Sequence, residues 1–464
     1  MTNINCQQLS LDIINYLFNI KGDGIFKEWV DLNKRETFGN VMIDDLGDTS
    51  PFAYYIYDNY KVDINENKKY QVDLYTKDVI SKYQQENGLF ITDNNLDLIN
   101  NKIIVFNSDK MSDVSLGLNL MFTLTQDEFY LDSSKLFFNG LEKLRIHRHT
   151  IPYLRSGIIK VPWFSGKWDG LYIEELVNLY NITDDPIYID NAIKSAEYWI
   201  NTIFFQKHGL FSFESISYIK PFMRPIFKLG LGLDFDSAMS SKANSNLIFG
   251  LNELYLITKG NKIKEALLKW TESTEKLFMH DDGYFYSFWS KNKGRSHVFL
   301  GNDHAMVDAL IDIYLVTGYK KALRIAMQNV DFWLSKQTSE GYFPQGVDNE
   351  EVTFAKWVKG KTPNMTRLDT LTDFGVMLLK MYEISGDKKY FIGCKKMIEG
   401  LVKHSSYGGS YVDIVNTTTL EKDYYKIETK FLFLLTKLFI SFDQIENKRS
   451  IYKDKLFKNL IRDR

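Results

Sequence analysis

The feature that most limits how this chain can fold is an internal repeat of about 65 residues. Each copy is an apolar stretch that ends in an aromatic residue, then a short turn of Thr or Ser with Asp or Gly, then a second helical stretch. Apolar residues recur at helical spacing, as at Leu176, Leu179 and Tyr180. Because the turn residues end one helix and cap the next, each copy predicts a helical hairpin. The aromatic markers of the copies are Tyr57, Phe122, Tyr180, Tyr255, Tyr314 and Tyr382.

Six consecutive hairpins predict an all-α (α/α)6 toroid, a closed ring with one helix of each hairpin inside and the other outside. An open solenoid of the same hairpins is the alternative. Some loops between hairpins place Gly before aromatic residues, as in ENGLF at Glu86 and DDGYFY at Asp281, which predicts short β-ribbons on one rim. We expect one domain over residues 1–464, with residues 1–50 as an N-terminal flanking segment and residues 430–464 as a C-terminal flanking helix.

The charge balance and the cysteine content exclude several classes of protein. Lys and Arg number 57 against 59 Asp and Glu, so the net charge of −2 gives no indication of a nucleic-acid partner or an anionic membrane surface. No signal peptide is visible, and the most apolar run, Phe431 to Phe442, contains Lys437 and is too short to span a bilayer. We therefore expect a cytoplasmic protein without a membrane span. The two cysteines, Cys6 and Cys394, are too few for a disulfide scaffold or a Cys-based zinc site.

The common motifs of nucleotide, serine-hydrolase and zincin sites are absent: the sequence has no P-loop, GxGxxG, GxSxG or HExxH. His147 and His149 lie two residues apart, so they do not face the same way on a helix, and no third ligand lies nearby in sequence. We accordingly expect neither a metal site nor a cofactor.

Polar residues concentrate just before the predicted inner helices, where a closed ring would bring the helix starts together around a central cleft. Carboxylates at such positions serve either as N-caps or as acid–base groups. We take Asp169, Asp236, Asp303 and His304 as candidate catalytic residues. The full set of polar and aromatic residues at these starts is Asp44, Asp45, Asp113, Trp168, Asp169, Asp234, Asp236, Asn302, Asp303, His304, Arg367, Asp369 and Asp373.

The same loops are rich in aromatic residues, which either stack on the apolar faces of sugar rings or pack against the rim. From this group, Trp163, Trp168 and Tyr218 are candidate substrate-binding residues, and Asp234 is a further candidate of this kind. Aromatic residues make up 15% of the chain, which fits a sugar-binding cleft as well as a large core. The partner we expect is an oligosaccharide or a polysaccharide.

Four segments resemble the C-terminal domain of the D-glucuronyl C5-epimerases, in that family's order. PWFSGKWDGLYIEELVNLYNITDDPIYIDNAIKSA, from Pro162, resembles the family's PW-S segment and the L-x-x-Y-x-x-T-x-D-x-x-Y-x-x-x-A hairpin that follows it. SSKANSNLIFGLNELY at Ser240, HDDGYFYSFW at His280 and DHAMVDALIDIYLVTG at Asp303 resemble the next three blocks. The resemblance covers residues 122–333 and implies a toroid that acts on uronates by acid–base chemistry.

The chain also resembles a second family, and it lacks one motif of the epimerases. DGLYIEELVNLYNITDDPIYIDNA is similar to the Asp-bearing segment of the unsaturated uronyl hydrolases. The epimerases carry a Y-E-E-Y-P run with a catalytic Tyr and Glu before their S-x-x-L-N-G block, where this chain has LDFDSAM. Asp234 or Asp236 would stand in for the acidic residue, and the Tyr is missing.

Epimerisation at C5 of a uronate removes a proton next to a carboxylate and returns one on the other face of the ring. It needs two acid–base groups and a cation that holds the carboxylate. Asp236 and His304 would be the acid–base pair, and Arg224 or Lys220 in YIKPFMRP would be the cation, since Arg binds carboxylates in a bidentate manner.

Two other functions are compatible with the same residues. A glycoside hydrolase, including the uronyl hydrolases, needs one protonated and one ionised carboxyl group, and Asp169 with Asp303 or Asp236 would supply them. A non-catalytic helical ring that binds a glycan or a protein partner is the other, because a fold does not determine a function.

Overall fold

In the computed structural model, most of the described residues lie in helices. The structure describes residues 4–21, 26–41, 43, 46–60, 65–90, 105–107, 114–145, 151, 154–156, 159–160, 163–212, 214–216, 237–348, 350, 363–423 and 425–462. These ranges contain sixteen α-helices. The first eight are α1 Cys6–Ile20, α2 Ser50–Asn59, α3 Asn65–Tyr83, α4 Val114–Thr125, α5 Glu128–Glu142, α6 Gly166–Thr183, α7 Pro186–Ile200 and α8 Ile203–His208. The other eight are α9 Ser245–Thr258, α10 Asn261–Leu277, α11 Leu300–Thr317, α12 Lys320–Ser335, α13 Leu368–Ser385, α14 Lys388–Gly400, α15 Thr429–Glu446 and α16 Lys455–Leu460.

Five of the hairpins are joined by the same two-residue link. The first residue of the link adopts the left-handed conformation, and its N–H donates to the carbonyl oxygen of the aromatic residue four positions earlier. At Asp184, φ is 56° and the N–O distance to Tyr180 is 2.8 Å. The aromatic markers of the repeat are therefore the residues whose carbonyls close the ends of the inner helices. The five pairs are Gln126 with Phe122, Asp184 with Tyr180, Lys259 with Tyr255, Gly318 with Tyr314, and Gly386 with Tyr382.

The two helices of a hairpin differ in how much of their surface is buried. In α11, every residue from Asn302 to Ile313 is buried, as an inner helix requires. In α12, only one face is buried, and its residues follow helical spacing. That face consists of Ala322, Ile325, Ala326, Asn329, Val330 and Trp333. The inner helices α2, α4, α6, α9, α11 and α13 pack each against the next around the ring, and α3, α5, α7, α10, α12 and α14 lie outside them.

The two ends of the chain close the ring. Helix α15, which the sequence predicts as a flanking helix, lies between α13 and α2, and α1 packs on its outer side. Gln444 of α15 donates to the Tyr55 hydroxyl of α2 at 3.1 Å, and Gln7 of α1 donates to Asp443 of α15 at 3.2 Å. The all-α toroid with its six consecutive hairpins is confirmed, and α15 with α1 adds a seventh pair that closes it. This closure excludes the open solenoid.

Short antiparallel ribbons lie next to the starts of the inner helices, as predicted. Strands Tyr286–Ser290 and Gly294–Val298 form an antiparallel hairpin that leads into α11. Strand Met365–Arg367 leads into α13 and pairs with Ile414–Asn416. The strands in the described residues are β1 Lys27–Asp31, β2 Glu36–Val41, β3 Val105–Asn107, β4 Leu154–Ser156, β5 Ile159–Lys160, β6 Trp163–Ser165, β7 Glu214–Ile216, β8 Ser237–Met239, β9 Tyr286–Ser290, β10 Gly294–Val298, β11 Met365–Arg367, β12 Ser406–Tyr407, β13 Ser410–Tyr411, β14 Ile414–Asn416, β15 Lys422–Asp423 and β16 Lys426–Glu428.

Helices α6 and α9 approach so closely that only glycine fits between them. A Cβ on Gly170 would lie 2.3 Å from the carbonyl oxygen of Asn246, and a Cβ on Gly250 would lie 2.5 Å from the carbonyl oxygen of Gly170. Both contacts are with backbone atoms, which cannot move aside without separating the helices. Across the parts of the chain that the structure describes, no helix is long and apolar enough to cross a membrane.

We expect Gly170→Ala to lower the free energy of unfolding by about 3 kcal/mol or more, because its Cβ overlaps backbone atoms of α9. Urea unfolding followed by circular dichroism measures the loss. Gly260→Ala is the matched control: its φ is −66° and the nearest atom to an added Cβ is 3.5 Å away, so it should change stability by less than about 1 kcal/mol. Equal stability of the two variants would contradict the close approach of α6 and α9.

Candidate active site

Three consecutive inner helices begin with the same hydrogen bond to an outer helix. The indole N–H of Trp199 donates to Asp169 Oδ2 at 2.6 Å, and that of Trp333 donates to Asp303 Oδ2 at 2.6 Å. In the hairpin between them, Trp270 donates to Asn244 Oδ1 at 3.1 Å. Since an uncharged Asn takes the place of the carboxylate in one hairpin, the bond itself does not require a charge.

The same polar side chains also hold the rim ribbons in place. Asp303 Oδ2 accepts from the backbone N–H of Phe285 at 3.2 Å and from Asn329 Nδ2 at 2.8 Å. Asn244 Oδ1 accepts from the backbone N–H of Phe211 at 2.9 Å. Each of these residues therefore joins an inner helix, an outer helix and a loop. Burial raises the pKa of Asp303 to about 7, and the three donors oppose that rise.

The residues predicted from the sequence fall into three groups. Asp169 and Asp303 are completely buried in these framework bonds, and Trp168 is buried with its ring stacked on Tyr172. The burial favours a structural role for the two carboxylates, and their catalytic role stays a prediction. His304 lies in the lumen of the ring, as described below. The side chains of Trp163, Tyr218, Lys220, Arg224, Asp234 and Asp236 lie outside the described residues, as do Asp44, Asp45, Asp113, His147 and His149.

The structure brings together a different group of charged side chains at the start of α13. Strand β11 ends at Arg367, which pairs with Ile414 of β14, so Asp413 comes to lie beside the first turn of α13. The backbone N–H of Leu368 donates to the Asp413 carbonyl at 2.8 Å. Arg367 Nη1 lies 3.7 Å from Asp369 Oδ2, and Nη2 lies 3.7 Å from Asp413 Oδ2. One guanidinium thus stands between two carboxyl groups.

The two carboxyl groups differ in their surroundings. The side chain of Asp413 is 5% exposed and that of Asp369 is 23% exposed. Burial raises the pKa of Asp413 to about 7; Arg367 opposes this rise, and the charges of Asp369 and Glu428 add to it. Asp413 Oδ1 is buried and has no hydrogen-bond partner in the described part of the chain. A protonated carboxyl beside a more exposed one is the arrangement that acid–base catalysis uses.

A second charged group lies deeper in the lumen, on three inner helices. Lys437 Nζ of α15 lies 2.9 Å from Asp373 Oδ1 of α13, and Asp373 Oδ2 lies 3.9 Å from His304 Nε2 of α11. The side chains of Lys437 and His304 are 3% and 7% exposed. We call these three residues the lumen floor.

Beyond the floor, charged side chains fill the lumen toward the other rim. Lys380 of α13 donates to Asp308 of α11 at 2.6 Å, and burial lowers the pKa of Lys380. Arg462, after α16, contacts carboxylates on α6, α9 and α11. No group of three or more His, Cys, Asp or Glu side chains in the described ranges has an arrangement that could hold a metal ion.

Sequence reasoning found part of this site and missed the rest. It placed Arg367, Asp369 and Asp373 at an inner-helix start but gave them no role. It missed Asp413, because nothing in the sequence indicates that β14 would return to the start of α13. A signal for Lys437 was present: a single Lys in a 12-residue apolar run, Phe431 to Phe442, can be buried only with a partner.

No family model matches the chain, and no curated protein matches it in sequence. Solved structures with a similar fold include an alpha-1,2-mannosidase from Trichoderma reesei, 12% identical, with a TM-score of 0.66, covering 94% of this chain and 92% of that one. Cellobiose 2-epimerase from Bacillus thermoamylovorans B4167 is 10% identical, with a TM-score of 0.55 and coverage of 94% and 98%. The GH76 alpha-mannanase BT2949 from Bacteroides thetaiotaomicron is 12% identical, with a TM-score of 0.53 and coverage of 96% and 98%. At these identities the likeness establishes the toroid fold.

We expect Asp303→Asn to fold and to keep the bond to Trp333, because Asn244 accepts the same bond in the preceding hairpin. The native protein binds a proton at Asp303 up to pH about 7, whereas the unfolded chain releases it near the ordinary value of 3.8. As the pH rises from 4 to 7, the free energy of unfolding of wild type should therefore fall by about 2 to 4 kcal/mol relative to that of Asp303→Asn. Urea unfolding of both proteins across this range measures the difference.

Asp303→Ala is the companion variant, since it removes the acceptor and leaves the Trp333 indole unpaired. It should be destabilised by about 1 to 3 kcal/mol relative to Asp303→Asn at every pH. A difference between wild type and Asp303→Asn that does not change with pH would contradict the raised pKa.

Proposed function

We propose that this protein is a carbohydrate-active enzyme that hydrolyses a glycosidic bond, with Asp413 as the proton donor and Asp369 as the carboxylate that activates water or attacks the sugar. The observation that carries the proposal is the pair of unlike carboxyl groups on either side of Arg367. Glycosidases use two carboxyl groups of this kind, one protonated and one ionised. The glycoside hydrolases and sugar epimerases among the similar folds support a sugar as the substrate.

Each residue of the group has a distinct part in this reaction. Asp413, with a pKa of about 7, carries its proton on the acid side of neutral pH, and its carboxyl group would give that proton to the glycosidic oxygen. Asp369 is the more exposed of the two carboxyl groups, and in this proposal it faces the water or the sugar. The lumen floor lies next to this pair and offers charged donors and acceptors to the hydroxyl groups of a bound sugar.

We expect Asp413→Asn and Asp369→Asn each to lower kcat/KM at least about 100-fold, because each removes one of two groups that act in the transition state. The assay measures new reducing ends on a panel of mannosides, glucosides and uronides. Asp303→Asn is the matched control, since it changes a buried carboxyl of similarly raised pKa outside this group, and it should keep activity near that of wild type. Full activity in Asp413→Asn with loss in Asp303→Asn would reject the assignment and favour the residues predicted from sequence.

The pH profile gives a second expected outcome. A proton donor acts only while protonated, so kcat/KM should fall as pH rises through about 7, the pKa of Asp413. In Asp413→Ala, substrates with good leaving groups, such as dinitrophenyl glycosides, should lose less activity than alkyl glycosides, because they need no proton. An alkaline limb that persists unchanged in Asp413→Ala would assign the donor to another residue.

A second candidate is the epimerase reaction that the sequence predicted, including C5 epimerisation of a uronate. The observation that favours it is His304 beside Asp373 in the lumen, an imidazole and a carboxylate within 3.9 Å. This reaction would incorporate deuterium from D2O into the sugar without new reducing ends, and His304→Gln would abolish the incorporation. Glycan binding without either activity would favour the scaffold function instead.

A further inference from the structure

The C-terminal segment enters the ring from the rim opposite to the carboxyl pair. Glu383 near the end of α13 accepts from the backbone N–H of Ile451 at 2.9 Å, and this bond fixes the start of the segment. Phe457 packs against Tyr55 of α2 at 5.7 Å between ring centroids, and its side chain is buried. Leu460 and Ile461 are also buried. The segment is therefore held inside the lumen.

Arg462 ends this segment with ion pairs to three inner helices. Its Nη1 lies 2.8 Å from Glu174 of α6, and its Nη2 lies 2.7 Å from Glu253 of α9 and 2.8 Å from Asp312 of α11. The guanidinium also lies 5.3 Å from the centre of the Phe249 ring. Because the side chain is only 2% exposed, these pairs are screened little by solvent. The five donors of a guanidinium allow it to bind several carboxylates at once in a fixed geometry.

One contact connects this anchor with the lumen floor. Lys437 Nζ donates to the backbone carbonyl of Arg462 at 3.5 Å and contacts Asp373 Oδ1 at 2.9 Å. Asp373 in turn faces His304. The ammonium of Lys437 therefore lies between the carbonyl of Arg462 and the carboxylate of Asp373.

We propose that Arg462 is a positioning residue for the sugar site: it fixes the backbone carbonyl that holds Lys437, and through Lys437 it sets the position and charge of Asp373 and His304. The reaction assigned to the site rests on the proposed function, whereas the coupling between Arg462 and His304 does not. Without the guanidinium, Glu174, Glu253 and Asp312 lose their shared cation, and the carbonyl that holds Lys437 is no longer fixed.

The test is a comparison of Arg462→Gln with wild type in two measurements. The first is the titration of His304 by NMR of the imidazole 13Cε1, assigned with His304→Gln. The loss of a buried cation makes the lumen more negative, and Lys437 is no longer fixed relative to Asp373, so the His304 midpoint should move upward by at least about half a pH unit. The second is turnover, in which KM should rise about tenfold and kcat should change by less than about threefold, because the floor binds the sugar and does not transfer its proton.

Lys458→Gln is the matched control. Lys458 contacts Glu253 at 3.4 Å and Asp312 at 3.6 Å, so this variant removes a cation from two of the three carboxylates and leaves the Arg462 side chain in place. It should leave the KM unchanged and move the His304 midpoint by less than Arg462→Gln does. Arg462→Lys, which keeps a cation, should restore both quantities at least in part.

A lower melting temperature in Arg462→Gln with an unchanged His304 midpoint and an unchanged KM would overturn the proposal and leave Arg462 a purely structural role. If Arg462→Gln does not fold, a triple variant replaces it: Arg462→Met with Glu253→Gln and Asp312→Asn. This variant removes the Arg462 cation together with two of the charges that it compensates. The same two measurements, the His304 midpoint and the KM, then test the proposal. If wild type shows no turnover, the proposed function fails, and the His304 titration alone still tests the coupling.

Discussion

Ion pairs inside the ring are the interaction on which the rest of this structure depends. Inner helices that surround a common axis leave a lumen, and here charged side chains fill much of it. Arg462 joins α6, α9 and α11, Lys380 joins α13 to α11, and Lys437 joins α15 to α13. Each cation contacts a carboxylate on another helix, so each pair fixes the distance between neighbours. Removing one partner of such a buried pair leaves a charge without compensation, which is far more costly than losing a surface pair.

The two ends of the lumen differ in what occupies them. At one end, the C-terminal segment occupies the space and its side chains complete the ion pairs. At the other end, the inner helices begin, rim ribbons pack against them, and the carboxyl groups of Asp369 and Asp413 stand on either side of Arg367. The most exposed charged side chain of these groups is Asp369 at the rim, at 23%, and Lys437 of the floor is 3% exposed. The rim is therefore the end at which a substrate can meet charged groups.

The hairpins could be predicted from the sequence because their signals are local. Each inner helix from α4 to α13 ends with its aromatic marker four residues before a left-handed link residue, and both lie within one turn of the chain. The pairing of α1 with α15 could not be predicted in this way, because the two helices lie at opposite ends of the sequence and neither carries the marker. Helices α1 and α15, which lie in the two segments predicted to flank the ring, form its seventh helical pair.

The candidate site was predicted only in part, because most of its contacts join residues that are far apart in the sequence. Asp169 and Asp303 stood out because they precede inner helices, but their indole partners lie 30 residues further on in each case, and nothing in the sequence indicates those bonds. Asp413 comes to lie beside Arg367 through strand pairing, and Arg462 enters the lumen because the C-terminal segment returns into the ring. Such contacts depend on the closed ring and appear only once it has formed.

The central claim is that Asp413 keeps its proton up to about pH 7 beside the more exposed Asp369. The most direct test is the carboxyl 13C NMR spectrum of protein labelled at the Asp Cγ carbons, recorded from pH 4 to 9, with Asp413→Asn to identify the resonance. We expect the Asp413 resonance to titrate with a midpoint near 7, as burial of its carboxyl requires. A midpoint near the ordinary Asp value of 3.8 would contradict the assignment of Asp413 as the proton donor.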